Sequence, residues 1–258
     1  MSGNSQIFDL TGRVAVVTGA GQGFGRTFSL GLARHGANVA ALDIDLGKAE
    51  ETVAEIKKEG YPDALAIKGD VASRDAIEEA FDKIDSELGS LDILVNNAGL
   101  WSLVPAMDLT MEEWDRVMAV NLTGLFICCR AAARLMLPRE RGSIINISSI
   151  SGSLGFKQRV AYTTSKHGDL GITKSLANEF AKQNVRVNAI GPGAHETEMT
   201  KEWRSDPEVM QRELLDKIPM NRLGDPEELV GPLVFLASEA SSYVTGQCVF
   251  SDGGWLLQ

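Results

Sequence analysis

Cysteine is scarce: the chain has three in 258 residues, two of them adjacent at Cys128 and Cys129. That excludes a disulfide framework and fits a reducing compartment, so the expected location is the cytoplasm. Aromatic residues make up only 6% of the chain, and the three histidines, His35, His167 and His195, show no paired-ligand spacing. No metal centre is implied. No uninterrupted apolar run reaches the roughly eighteen residues of a membrane span. The start, Met1-Ser2-Gly3-Asn4-Ser5-Gln6, lacks the basic and apolar stretches of a secretion signal. Positive charge is also in deficit, with 25 Lys and Arg against 35 Asp and Glu, a net charge of −10. A polyanion partner such as nucleic acid is therefore not expected, because phosphate backbones are bound through basic stripes.

What the chain does have is 44% hydrophobic residues in a regular alternation. Short, nearly continuous apolar runs predict strands over 13–18, 38–43, 64–68, 93–96, 143–147, 185–190 and 248–250. Helical patterns separate them, over 24–35, 46–59, 73–88, 111–137, 161–182 and 226–237. Apolar strands alternating with helices indicate a parallel sheet covered on both faces. The expected fold is α/β: one doubly wound Rossmann-type domain spanning the chain, with a seven-stranded parallel sheet and right-handed crossovers. The segment 191–217, with Pro192, Gly193, Pro207 and many charges, reads as a long loop. It is either a lid over a ligand site or an ordinary surface excursion.

Function enters through the turn after the first strand. Thr18-Gly19-Ala20-Gly21-Gln22-Gly23-Phe24-Gly25 carries glycines in a Gly-x-x-x-Gly-x-Gly spacing and opens a helix. Glycines there let the backbone approach a pyrophosphate, whose charge rests on the helix N-terminus. Phe24 takes the third glycine's place in the commoner GxGxxG spacing. Asp43, ending the second strand, sits close to the ~20-residue distance at which an acid meets an adenosine ribose. A carboxylate there binds ribose hydroxyls and repels a 2′-phosphate, and Asp45 is available to cap the next helix. NAD is expected rather than NADP.

A second device lies downstream. Tyr162 and Lys166 are four residues apart on a predicted helix, hence on one face, with Ser149 thirteen positions upstream of Tyr162. A cation beside a phenol favours the phenolate. A phenol so placed can pass a proton to and from an alcohol oxygen. Joined to a dinucleotide cradle, it points to hydride transfer.

The chain resembles the short-chain dehydrogenase/reductase family from roughly Phe8 to Gly254. The resemblance rests on Thr18 to Gly25, Asp70-Val71, Asn96-Asn97-Ala98-Gly99, Asn121, Ser149, Tyr162 to Lys166, Pro192-Gly193 with Thr197, and Asp252-Gly253-Gly254. It implies that Tyr162 is the general acid/base, that Ser149 holds the substrate oxygen and that Lys166 assists the phenolate and binds the nicotinamide ribose. Asn121 would hold a water that continues the proton path. Gly19, Gln22, Gly23, Phe24 and Gly25 would surround the pyrophosphate, and Asp70 and Val71 would contact adenine. Asn97, Ala98 and Gly99 would support the cofactor behind the fourth strand, while Pro192, Gly193 and Thr197 would meet the nicotinamide. Ser148 is the rival for the serine role, but in a continuing strand it points to the opposite side.

His195 stands where family members usually carry an apolar residue. It either touches substrate or nicotinamide or, as the sequence favours, faces solvent from the lid. Packing in the core or at an interface is expected for Trp101, Trp203 and Trp255. Further details, at Gly224 to Leu229 and Asp252 to Leu256, resemble the sugar-acid and polyol dehydrogenases of the family. Lys157, Arg159 and Arg204 either include a carboxylate clamp for such a substrate, with Arg159 the candidate, or form a solvated basic surface, the reading the sequence favours. The implied partner is a small alcohol or ketone, with a homotetramer expected from the family and from the apolar end Trp255-Leu256-Leu257. The competing activities are a 3-oxoacyl or steroid-type reductase and a catalytically silent NAD-binding redox sensor.

Overall fold

Seven strands form one sheet in the order β3-β2-β1-β4-β5-β6-β7, every neighbouring pair parallel. The computed structural model describes residues 6–197 and 200–257. The Trp203 side chain and residues 1–5 lie outside the described set. In chain order the elements begin β1 Val14–Thr18, α1 Gly23–Arg34, β2 Asn38–Asp43, α2 Leu46–Lys58, β3 Ala64–Lys68, α3 Arg74–Leu88 and β4 Ile93–Asn96. They continue with α4 Met111–Met118, α5 Leu125–Met136, β5 Gly142–Ile147, α6 Val160–Phe180, β6 Val185–Pro192, α7 Lys201–Arg204, α8 Pro207–Glu213, α9 Val230–Ala237 and β7 Cys248–Ser251.

The strands form where the sequence is apolar at successive positions, because both faces of the sheet are covered. Leu94, Ile144 and Val187 pack with Phe81, Cys128 and Phe180 from α3, α5 and α6 on one face. Val17, Val39 and Val95 pack with Phe28, Ile56 and Leu233 from α1, α2 and α9 on the other. Side chains as large as Phe28 and Phe81, fully buried, contribute about 1.5–3 kcal/mol each. Helix starts follow local chemistry: Asp45 caps α2 and Ser73 caps α3, each accepting from a backbone N–H three residues on.

Two predicted elements differ. The helical stretch 111–137 is interrupted by a π-helical turn, Ala119–Gly124, between α4 and α5. The continuous stretch Met111–Arg139 has the length and mean hydropathy of a membrane span, although charged residues interrupt its apolar runs. Half of its most apolar window is buried inside this molecule, where Cys128, Cys129, Ala132 and Met136 form part of the core. The segment 191–217 is not an irregular loop either. It carries α7 and α8, the latter capped by Asp206 with Pro207 in its first turn.

The chain builds outward from β1 to β3, then returns to place β4 on the other side of β1. The reversal opens a crevice at the strands' carboxyl ends, the place where doubly wound sheets bind ligands.

Candidate active site

At the crevice the backbone turns tightly after Thr18. Gly19 and Gly23 take left-handed conformations, at φ 63° and 53°. A Cβ on Gly25 would lie 1.9 Å from the Gly19 carbonyl oxygen, and one on Gly21 would lie 2.6 Å from the Lys48 Cβ. Gln22, the N-cap of α1, makes no side-chain cap hydrogen bond, which leaves the first-turn amides for an anion. The Asn97 side-chain amide donates to the Thr18 and Gly19 carbonyls at 3.0 and 3.1 Å. The Thr18 hydroxyl accepts from the Asn97 and Ala98 amides at 3.1 and 3.0 Å. Asn97 thus locks the glycine turn to the end of β4.

Asp43 is buried beside this turn. Its Oδ2 accepts from the Gly21 amide at 2.8 Å and its Oδ1 from the Asp45 amide at 3.0 Å, while the Asp45 side chain caps α2. Lys48 donates to the Gln22 side chain at 3.1 Å across the same rim. Neither Gly21 nor Lys48 was singled out from sequence, although both bear on the ribose end.

The close-packed glycine turn, the uncapped helix start and the fixed carboxylate fit an adenine dinucleotide. Gly19, Gln22, Gly23, Phe24, Asp43, Asp70, Val71, Asn97, Ala98, Gly99, Pro192, Gly193 and Thr197 all line one cleft of about 790 Å³. Gly25 does not line it; its place is behind the turn, against Gly19.

Ser149, Tyr162 and Lys166 line the same cleft. Tyr162 and Lys166 are buried on one face of α6, with the ammonium 5.8 Å from the phenol ring centroid. Lys166 Nζ donates to the Ile147 carbonyl at 2.7 Å, tying α6 to the end of β5. Ser149 follows β5 in extended conformation, and its Oγ accepts from the Ser151 amide at 3.0 Å. Ser148 points elsewhere, as strand alternation predicts: its hydroxyl donates to Asp169 Oδ1 at 2.7 Å. Asn121 lies buried in the π-helical turn. Its amide donates to the Leu100 carbonyl at 2.9 Å and to Ser165 Oγ at 3.2 Å, and its oxygen accepts from the Leu100 amide at 2.7 Å. The inserted turn thereby couples the loop after β4 to α6.

Beyond Tyr162 the cleft becomes aromatic. The Trp101 ring meets the Tyr162 ring edge-on, with centroids 4.7 Å apart. The Arg159 guanidinium lies 4.4 Å from the Trp101 centroid and 4.9 Å from that of Phe156, which in turn packs on Trp255. Burial pulls this guanidinium below its usual range, with the neighbouring Tyr162 opposing. The solvated-loop reading therefore holds for exposed Lys157 but not for Arg159. Arg204 is engaged within its own segment, donating to the Thr197 carbonyl at 3.0 Å and facing Glu196 at 3.7 Å.

One other expectation needs correcting. His195 is not solvent-facing: it is 4% exposed, bridged to Gly224 and edge-on to Phe24 at 5.5 Å. Its Nδ1 pairs with the Gly193 carbonyl at 3.1 Å, burial lowers its proton affinity, and the ring, packed against Phe24, also lines the cleft. Trp101 is half-buried in the cleft wall; Trp255 is buried, as expected, and also lines the cleft. Sequence reasoning missed Asp169, fully buried 3.4 Å from Lys166 Nζ. The signal was there, since an acid three residues after Lys166 falls on the same inward helix face.

Residues 19–256 match the profile of the family described as enoyl-(acyl carrier protein) reductase. The chain is 41% identical over 252 residues to the 2-dehydro-3-deoxy-D-gluconate 5-dehydrogenase of Escherichia coli K12, covering 97% of this chain and 98% of that protein. It is 39% identical over 251 residues to a 3-oxoacyl-(acyl-carrier-protein) reductase of Thermotoga maritima, covering 96% and 99%. The structure of a gluconate 5-dehydrogenase from Burkholderia cenocepacia, in complex with NADP and tartrate, superposes with a TM-score of 0.94 at 35% identity, covering 98% of this chain and 99% of that one. Fold, cleft and likeness agree, and the chain belongs to the short-chain dehydrogenase/reductase family of nicotinamide-dependent oxidoreductases.

Proposed function

We propose that this protein is an NAD-linked dehydrogenase that interconverts a secondary alcohol and a ketone on a sugar acid. The observation that carries the substrate reading is Arg159, a guanidinium held between Trp101 and Phe156 in the same cleft as Tyr162. A planar cation fixed in a poorly solvated site suits a carboxylate, which it can take through two parallel hydrogen bonds. The names of the gluconate-type relatives support the same class.

The bound nicotinamide supplies the hydride acceptor or donor. In the oxidative direction the Tyr162 oxygen takes the alcohol proton, and Ser149 Oγ holds the substrate oxygen as it changes from hydroxyl to carbonyl. Lys166 places positive charge beside the phenol and the ribose site. Asn121 orders the wall along which a proton passes from Lys166 towards solvent. Asp43 supports the NAD preference: a fixed carboxylate at the ribose rim binds hydroxyls and repels a 2′-phosphate. Segment 191–217 acts as the lid, and the protein assembles as a homotetramer in the cytoplasm, with exposed Leu257 near a subunit contact.

A 3-oxoacyl reductase is the second reading, favoured by the Thermotoga relative. Initial rates with NAD and NADP across aldonates, matching polyols and acyl thioesters separate the two. Highest kcat/KM on an aldonate with NAD is expected. An acyl thioester with NADPH as the best pair would replace this reading with the second.

A further inference from the structure

One buried acid next to the proton-transfer pair has no part in the chemistry described so far. Asp169 lies three residues beyond Lys166 on α6 and is fully excluded from solvent. Its two oxygens face different groups. Oδ1 accepts the Ser148 hydroxyl at 2.7 Å, and Oδ2 faces the Lys166 ammonium at 3.4 Å. Among the described residues, Oδ2 has no closer hydrogen-bond partner than that ammonium. Lys166 is thus held from two sides, by the Ile147 carbonyl at 2.7 Å and by this carboxylate.

A buried carboxylate is expensive to desolvate, and here it is one half of a buried ion pair whose other half, Lys166, would be left uncompensated without it. Burial pushes the Asp169 carboxyl up to about 6, against the opposing pull of Lys166 and the Ser148 hydroxyl. The groups whose charge bears on it are Lys166 and His167 from its own helix, Cys129 from α5 and Cys248 from β7. Burial pushes both thiols up to about 12, so they stay neutral at working pH. Among these described residues, Asp169 is then the one negative charge, 3.4 Å from the ammonium that lies 5.8 Å from the Tyr162 ring centroid, with Arg159 the second cation beside that phenol.

We propose that Asp169 is a positioning residue for Lys166: held by Ser148, its carboxylate fixes the ammonium and sets the pH at which Tyr162 gives up its proton. Without the carboxylate, Lys166 keeps its bond to the Ile147 carbonyl, so what is lost is a negative charge that offsets part of the cation's effect on the phenol, and the phenolate is favoured at lower pH. The same geometry gives Ser148 its purpose, as the hydroxyl that orients Asp169 and not the one that meets substrate.

This rests on the reading of Tyr162 and Lys166 as the proton-transfer pair, and the test separates the two. The chain has three tyrosines, so ultraviolet titration of phenolate in the cofactor-free protein, with Tyr162→Phe as the blank, isolates the Tyr162 component. In Asp169→Asn that component, and the acidic limb of kcat/KM for alcohol oxidation, should both move to lower pH by about 0.5–1 unit. Asp169→Glu should restore both towards wild type. Asp169→Leu, uncharged and branched at the same atom, serves if the Asn variant does not fold, and should move them the same way. An unmoved titration or an unmoved limb overturns the proposal. Full turnover in Tyr162→Phe would instead overturn the reading beneath it.

Discussion

The two ends of the cleft are built differently. The cofactor end is built on the backbone: Gly25 packs against Gly19, the Asn97 side chain clamps the Thr18 and Gly19 carbonyls, and the Asp43 carboxylate holds the Gly21 amide. The substrate end is side chain on side chain. A small cluster of Ile150, Leu214, Ile218, Leu223 and Trp255 supports it, and exposed pairs such as Arg212–Glu213 and Lys217–Glu213 trim its outer face. Backbone contacts that tolerate no added atom admit few sequences, whereas aromatic and ionic surfaces can be exchanged one residue at a time. In the function we propose, the first end holds the cofactor and the second selects what undergoes the chemistry.

A single methyl group at the cofactor end should then have the largest effect on cofactor binding. Gly25→Ala would place its Cβ 1.9 Å from the Gly19 oxygen, so the turn must open. The strain should cost about 1–3 kcal/mol of stability and, with the turn opened, weaken NADH binding on the order of tenfold or more. Fluorescence titration with NADH checks it, and wild-type affinity would show that the turn yields more readily than its packing implies.

Tyr162→Phe comes next and sharpens the comparison from the middle of the cleft. Turnover should fall on the order of 10²–10⁴-fold. NADH affinity should stay within a few-fold, because the ring keeps its contact with Trp101. Stopped-flow rates and a binding isotherm measured together test this, and a parallel loss of both would mean that Tyr162 holds the site instead of transferring a proton. Asp43→Ala is smaller. It should narrow the preference for NAD over NADP by about tenfold, or 1.4 kcal/mol, read from the ratio of the two kcat/KM values. An unchanged ratio would move cofactor choice to Lys48 and Gln22.

The same division explains what could be read from sequence. The strands Asn38–Asp43, Ala64–Lys68 and Ile93–Asn96 match their expected bounds because doubly covered strands are marked by uninterrupted apolar residues. Ser149, Tyr162 and Lys166 were legible because helix and strand periodicities are local. The π-helical turn was not. It depends on Gly124 approaching the Val71 carbonyl, where a Cβ would lie at 2.9 Å, and on Asn121 reaching Leu100, both of them distant contacts. Segment 191–217 looked irregular from its prolines and charges, yet Asp206 before Pro207 is a helix-start signal that went unused. His195 misled for the opposite reason. A polar ring among loop residues suggests solvent, but the fold seats it between Phe24 and Gly224.

We propose that the aromatic end of the cleft reads a carboxylate while the rest of the machinery is indifferent to it. The most direct measurement is kcat/KM of wild type and Arg159→Ala on one aldonate and its matching neutral polyol. Losing one charge-assisted contact is worth roughly 1.5–3 kcal/mol, so the aldonate should lose on the order of ten- to a hundredfold, mostly in KM, while the polyol hardly changes. Equal losses on both substrates would contradict the account and leave Arg159 a support for Trp101 and Phe156.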